Sequence, residues 1–481
     1  METPSRALTN NLLRLLPLLA GLTLAILAGG CFGSGMSNPE TPGMSGVVRP
    51  PMTPPLVYAP RPVVPLPKPS PLPVPSPKPA EGGRVYLGID VLAEQKFSVL
   101  QGQRVGLLTH AAGVNRDGVS TIEILRHAPG VKLVALFAPE HGLDGKVLAS
   151  MDFPITTDKN SGLTVYPLFG KTKNAPTEWL KNIDIMVVDL QDLGTRSYTF
   201  ISCLRLTMEA CFEQGKTVVV LDRPNPLGGL KVGGPILETK LESYIGEYPM
   251  PYVFGLTIGE LARIAKDTPG WLDPDNDSVR RRGKLIVVPM RGWRRSMLWA
   301  DTGLKWIPTS PNIPTADAAF GYSMTGLSRP IEKVGFVEFG VGSQYPFRLL
   351  NYPGRKPAEL AAVMNGLGLT GLHFEDRVYR DAKGDHEGVY VNITSWNAVE
   401  PTKLGFEMMK LDVAWAAHGN PYAKLNSVEE RTFEITIGST EWLQEIKAHG
   451  GKANVDFFFK KWNAEDAAFQ KWTQQWWLYP N

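Results

Sequence analysis

The chain has 481 residues, 43% of them hydrophobic, and 50 Lys+Arg against 47 Asp+Glu leave a formal net charge of +3. That is enough chain for two or three domains with cores of their own, and the balanced charge, without a long basic run in the body, argues against nucleic acid as a partner. Cys31, Cys203 and Cys211 show no metal-type spacing, and the last two fall too far apart along one predicted helix to bridge, so neither disulfides nor a thiolate metal site is expected.

Arg6 and Arg14 precede the apolar run LLPLLAGLTLAILAGGC, which ends in small residues and Cys31. This has the form of a secretory signal. The small residues before Cys31 resemble a bacterial lipoprotein cleavage site, with Ala28 where a leucine is usual, so residues 1–31 are expected to be a signal peptide and Cys31 a lipidated N-terminus. An uncleaved membrane anchor or ordinary secretion is the plain alternative; either way the body lies outside the cytoplasm, in the cell envelope. Residues 32–83 are dominated by proline, as in PRPVVPLPKPSPLPVPSPKP, and cannot pack a core; they predict an extended, semi-rigid tether.

From residue 84 short Val/Ile/Leu runs alternate with helical patterns. RVGLLTH precedes TIEILRHA, VKLVALFAPEH follows, then IDIMVVDLQD precedes TFISCLRLTMEACFEQG, and KTVVVLDRPN, TIGELARIAKD and KLIVVPM complete the series. Continuous apolar strands separated by helices predict a doubly wound, mostly parallel α/β sheet over residues 84–322. After Tyr322 the pattern changes to mixed strands and amphipathic helices, a smaller α+β auxiliary domain over residues 323–481. Trp472, Trp476 and Trp477 near its end suit either a core or a sugar-stacking surface.

In a parallel sheet the carboxyl ends of the strands share one edge, where ligands bind. Those ends carry His110, then Glu140 and His141, then Asp189, Gln191, Asp192, Arg196 and Tyr198, then Asp222, Arg223 and Asn225; the SPNIP loop adds Asn312. A carboxyl at a partly buried strand end can hold its proton as a general acid requires, so one cleft is predicted. Taken singly, each motif also suits a cap, a surface ion pair or a turn, and Asp192 in particular suits a helix N-cap. No GxxxxGK[ST], HExxH or GxSxG pattern is present and no GxGxxG follows the first strand, so no nucleotide cofactor is expected. A divalent metal on Glu140, His141, Asp189 and Asp192 fits no standard cage, and no metal is assigned.

The motifs FAPEHGLDG, DLQDLGTRSYTF, VVVLDRPNPLGG, TIGELA and SPNIPT, in that order, resemble the exo-β-N-acetylmuramidase NamZ family of glycoside hydrolases, formerly a bacterial domain of unknown function. The resemblance runs from about Leu87 to the end. It implies a Rossmann-like catalytic domain, an auxiliary α+β domain, and removal of terminal N-acetylmuramic acid from the non-reducing end of peptidoglycan fragments. Carried over by position, Glu140 is the general acid, with Asp189 or Asp192 as second carboxylate acting on water, on the anomeric carbon or through the substrate's acetamide. His141 accompanies Glu140. Gln191, Tyr198, Asp222, Asn225 and Asn312 fall on substrate-facing motifs, and Arg196 and Arg223 are candidates for the lactyl carboxylate.

Two positions depart from the family pattern. His110 stands where many members have asparagine, and residues 338–347, EFGVGSQYPF, replace a stretch that normally carries an arginine. The second departure leaves room for a non-catalytic cell-wall-glycan-binding lipoprotein, and the acidic edge leaves room for a metal-dependent hydrolase. Membrane attachment through the lipid anchor, with muropeptides as partners, completes the expectation.

Overall fold

The computed structural model describes residues 83–481 apart from 274–275, 329, 332–333, 335–338 and 382–383. The signal peptide, the tether up to residue 82, the lipidation of Cys31, and Glu338 lie outside the described residues.

Seven strands form the main sheet: β1 (Arg104–Thr109), β2 (Lys132–Ala138), β3 (Thr156–Thr157), β4 (Thr164–Pro167), β5 (Ile185–Asp189), β6 (Thr217–Leu221) and β7 (Lys284–Val288), in the order β3-β4-β2-β1-β5-β6-β7. Every pairing is parallel except the short β3–β4 pair at one edge. The order reverses direction on either side of β1, which makes the carboxyl ends of β1 and β5 a topological switch point. Apolar residues dominate the central strands, β-branched ones in β5 and β6, because both sheet faces are covered; all five residues of β5 are buried.

Helix Phe200–Glu213 follows β5 and is sunk in the layer, with twelve of its fourteen residues buried. Cys203 and Cys211 lie on it as free, buried thiols, each pushed up to about 12 by loss of water. Helix Ile258–Asp267 shows how tightly local and long-range structure interlock. Thr257 caps it by accepting from Glu260 N, and the Glu260 carboxylate returns a bond to Thr257 N. The same Thr257 hydroxyl donates to Asp222 Oδ2 at 2.7 Å, tying the TIGELA and DRPNP motifs together. Glu260 then pairs with Arg295 at 2.6 Å, both side chains fully enclosed.

The second sheet is antiparallel: β8 (Leu349–Leu350), β9 (Leu372–Asp381) and β10 (Gly384–Ile393), in the order β8-β10-β9. With helices Lys403–Trp415, Ser427–Ile437, Glu441–His449 and Val455–Thr473 it encloses a core of its own built on Phe406, Trp442 and Trp462. The fold is thus a mostly parallel α/β layer followed by a smaller α+β part. The last tryptophans do not form an open platform. Trp472 packs on Trp271, Trp476 donates to Asp267 at 2.8 Å, and Trp477 lies 3.7 Å under the Arg295 guanidinium.

Candidate active site

Glu140 follows β2, and its carboxylate is held at both oxygens. Ser150 N donates to Oε1 at 2.9 Å and the Thr199 hydroxyl to Oε2 at 2.6 Å, with the side chain buried. His141 turns the chain with φ of 73° and its Nδ1 lies 2.8 Å from Val147 O. A carbonyl only accepts, so Nδ1 carries a hydrogen.

Asp192 follows β5. Gly194 N donates to Oδ2 at 2.7 Å, while the buried Oδ1 has no hydrogen-bond partner among the described residues. Burial outweighs the Gly194 and Leu193 amides and raises the carboxyl to about 7. Gly194 adopts φ of +79°, and a Cβ there would meet the Asn225 side chain at 2.4 Å, so only glycine allows this turn.

The two carboxylates converge. Tyr198 and Tyr322 each lie within electrostatic reach of both Glu140 and Asp192, and their rings meet edge to face at 6.3 Å. Tyr198 donates to Thr309 Oγ1 at 2.8 Å, which fixes the ring against the loop bearing Ser310 and the half-buried Asn312. His110 completes the edge: its Nε2 accepts from Gln191 N at 3.0 Å, so its hydrogen sits on Nδ1, which is buried without a partner. Burial, then the nearby Arg223 and His141, hold it well below its ordinary value, and it is neutral. Gln191 spends its amide hydrogens on Asp192 O and Pro224 O and leaves a buried, unpaired Oε1. His110 Nδ1, Gln191 Oε1 and Asp192 Oδ1 are therefore one donor and two acceptors that the protein itself does not satisfy.

Four of the predicted residues are committed elsewhere. Asp189 is not a free second carboxylate. Arg223 grips it through two bonds of 2.6 and 2.9 Å and the Thr121 hydroxyl adds a third, in a fully buried site. Arg196 is not available to a substrate anion: its guanidinium donates to the carbonyls of Pro235, Met250 and Ile437 at 2.7 to 2.9 Å, and burial lowers it to about 10. Asp222 is a hub beneath the edge, accepting from Arg223 N, Thr257, Gly259 N and Tyr479, and Asn225 bridges Leu256 O and Leu227 N. These are the interior partners of polar groups that the parallel sheet cannot pair. Arg223, although bound to Asp189, also lines the cavity beside Gln191. Among the described residues no group of three or more His, Cys, Asp or Glu side chains is placed to hold a metal ion.

Ser150, Thr121 and Tyr322 escape sequence reasoning because they reach the site from other segments. Thr199 does sit inside the DLGTRSYTF motif, but nothing in a threonine's identity announces its partner.

A buried carboxylate pair at the switch point of a doubly wound sheet defines a site equipped for acid–base chemistry. Residues 105–317 match the family described as Exo-beta-N-acetylmuramidase NamZ, N-terminal, and residues 320–479 match its C-terminal counterpart. The chain belongs to the NamZ family. It is 39% identical over 336 residues, 69% of this chain and 78% of the relative, to the peptidoglycan beta-N-acetylmuramidase NamZ of Bacillus subtilis (strain 168). It is also similar to the crystal structure of a DUF1343 family protein from Bacteroides fragilis NCTC 9343, with 34% identity and a TM-score of 0.72 over 83% of this chain and 100% of that one. A second such protein from the same strain shares the fold at 24% identity, with a TM-score of 0.62 over 82% of this chain and 99% of that one.

Proposed function

We propose that this protein is an exo-acting β-N-acetylmuramidase that removes N-acetylmuramic acid from the non-reducing end of peptidoglycan fragments. The observation that carries the reading is the convergence of Glu140 and Asp192 on one tyrosine pair, in a chain of the NamZ family. Glycosidic cleavage requires a proton for the leaving oxygen and a second carboxylate for the oxocarbenium-like centre. With Asp189 bound to Arg223, Glu140 and Asp192 are the pair that remains. The family motif favours Glu140 as the acid, whereas burial favours the proton on Asp192, raised to about 7. His110 Nδ1–H and the free acceptors on Gln191 and Asp192 suit the hydroxyl and amide groups of a single sugar ring.

The test is release of the aglycone from a chromogenic N-acetylmuraminide, set against the matching N-acetylglucosaminide and repeated with chelator. Turnover of the muraminide alone, unaffected by chelator, supports the proposal. No turnover by a folded protein that still binds glycan fragments supports the non-catalytic reading raised by residues 338–347, and loss with chelator supports the metal-dependent one.

The protein is further proposed to be a lipoprotein of the cell envelope, attached at Cys31 and held off the membrane by the proline-rich tether. What supports this is the signal-like sequence before Cys31. Incorporation of labelled palmitate that disappears in Cys31→Ser is the expected result, and labelling that persists in the variant rules the anchor out.

A further inference from the structure

Beside the carboxylate pair, between the loop after β1 and the segment 299–307, lies a cavity of about 290 Å³. It shares a wall with the candidate site, since Gln191 lines it and Asp192 is the next residue. Its lining is cationic: Arg84, Arg116, Arg223 and Lys305 face one acid, Asp117. Two of these charges are already balanced, Arg223 by Asp189 and Arg84 by Asp117 at 3.0 Å. The other two are not matched in the same way. Arg116 lies 3.8 Å over the Tyr86 ring; Asp90, bonded to its backbone amide, is the carboxylate its charge reaches, but no side-chain ion pair forms, and its Nη1 is buried with no hydrogen-bond partner among the described residues. Lys305 has no ion-pair partner among the described residues.

A buried guanidinium nitrogen without an acceptor is costly unless something supplies one. The cavity is lined in one place by Arg116, by the ammonium of Lys305 and by Arg223, with Trp299 and Ile307 as an apolar wall. That combination fits a carboxylate carried on a short, partly apolar arm. Size points the same way: about 290 Å³ lies at the foot of the roughly 300–1,000 Å³ range of small-molecule sites, enough for a side arm but not for a disaccharide.

We propose that this cavity is the subsite for the carboxylate-bearing arm of the substrate, with Arg116 and Lys305 as the residues that distinguish a muramoyl sugar from one without a carboxylate. The inference rests on the muramidase reading of the neighbouring site. It replaces Arg196, whose guanidinium is spent on carbonyls, as the source of the anion grip. The carboxylate has two possible sources, the lactyl group itself or the peptide stem attached to it.

The experiment is calorimetric titration of the full-length protein and of Arg116→Gln and Lys305→Met. Three probes are used: N-acetylmuramic acid, N-acetylmuramoyl-L-alanyl-D-isoglutamine, whose lactyl carboxyl is capped, and N-acetylglucosamine, which has none. Each variant is expected to weaken a carboxylated probe about tenfold or more, as loss of a hydrogen bond to a charged group does, and to leave N-acetylglucosamine unchanged. Weakening confined to N-acetylmuramic acid assigns the cavity to the lactyl group, and weakening confined to the dipeptide assigns it to the stem. Should Arg116→Gln fail to fold, Lys305→Met carries the test alone, because its side chain is on the surface. Unaltered affinity for both carboxylated probes, or no binding of either by the wild type, overturns the inference. Chromogenic muraminide turnover on the same preparations shows whether the muramidase reading falls with it or stands.

Discussion

The Thr199 hydroxyl donates to Glu140 Oε2 at 2.6 Å, from the last residue before a helix that is otherwise sunk in the core. The bond orients a carboxylate through a residue that has no chemistry of its own, so Thr199 is a positioning residue. Thr199→Val is expected to lower kcat about tenfold with a smaller change in KM, while Thr199→Ser restores both. A merely structural role is indicated if Tm falls and kcat and KM keep their wild-type values. Glu140→Gln is expected to cost at least about a hundredfold in kcat with Tm unchanged.

Asp192 allows a sharper test, because its carboxyl is raised to about 7 by burial. If it supplies the proton, the rate is highest below pH 7 and falls as pH rises through about 7, as the acid loses its proton. Asp192→Asn should remove at least about a hundredfold of kcat together with that limb. A limb near pH 7 that survives in Asp192→Asn and disappears in Glu140→Gln assigns the acid to Glu140.

Arg196 joins Pro235 and Met250 to Ile437, bonding the loop after β6 and the end of helix Ser427–Ile437 through one guanidinium. Arg196→Leu leaves the buried carbonyls of Pro235 and Ile437 without donors and Met250 O with Leu237 N alone, and is expected to destabilise the fold by about 3–5 kcal/mol, measured by denaturant unfolding. Arg196→Lys should recover little of it, since an ammonium cannot span three acceptors in a plane. A variant of wild-type stability with raised KM would instead place Arg196 in substrate binding.

Asp466 is buried beside Gly234 and Arg196, its oxygens lack a well-formed hydrogen bond, and burial raises it to about 8. The unfolded chain ionises this group near pH 4, whereas the folded one keeps its proton to about 8. Folding is therefore penalised increasingly as pH rises through that window, and not below it. Asp466→Asn should be more stable than wild type by several kcal/mol at pH 8 and close to it at pH 4. Equal stability at both pH values would show that the carboxyl finds a partner.

Much of the layer was legible in the residues. The apolar runs ending in Thr109, Ala138, Asp189 and Leu221 are β1, β2, β5 and β6, because a strand covered on both faces has to be apolar throughout. The convergence of their polar ends followed from parallel topology. What sequence could not reveal was which polar groups face outward. Asp189 and Asp192 stand three apart on one stretch, yet one is locked to Arg223 and Thr121 and the other keeps an unpaired oxygen. The difference depends on partners more than thirty residues away in the chain. Arg196 and Asp222 looked like site residues for the same reason, and each serves the interior instead.

Tyr479 donates to Asp222 Oδ2 and accepts from Met290 N, and one residue earlier Leu478 N donates to Glu260. Asp222 and Tyr479 are separated by 257 positions. The support beneath the switch point is thus finished by residues far along the chain from the sheet they brace. A chain stopped after the parallel sheet would leave Asp222 without its Tyr479 donor, so the α/β layer and the C-terminal part must mature together, and a nick near Tyr479 would be felt directly beneath the switch point.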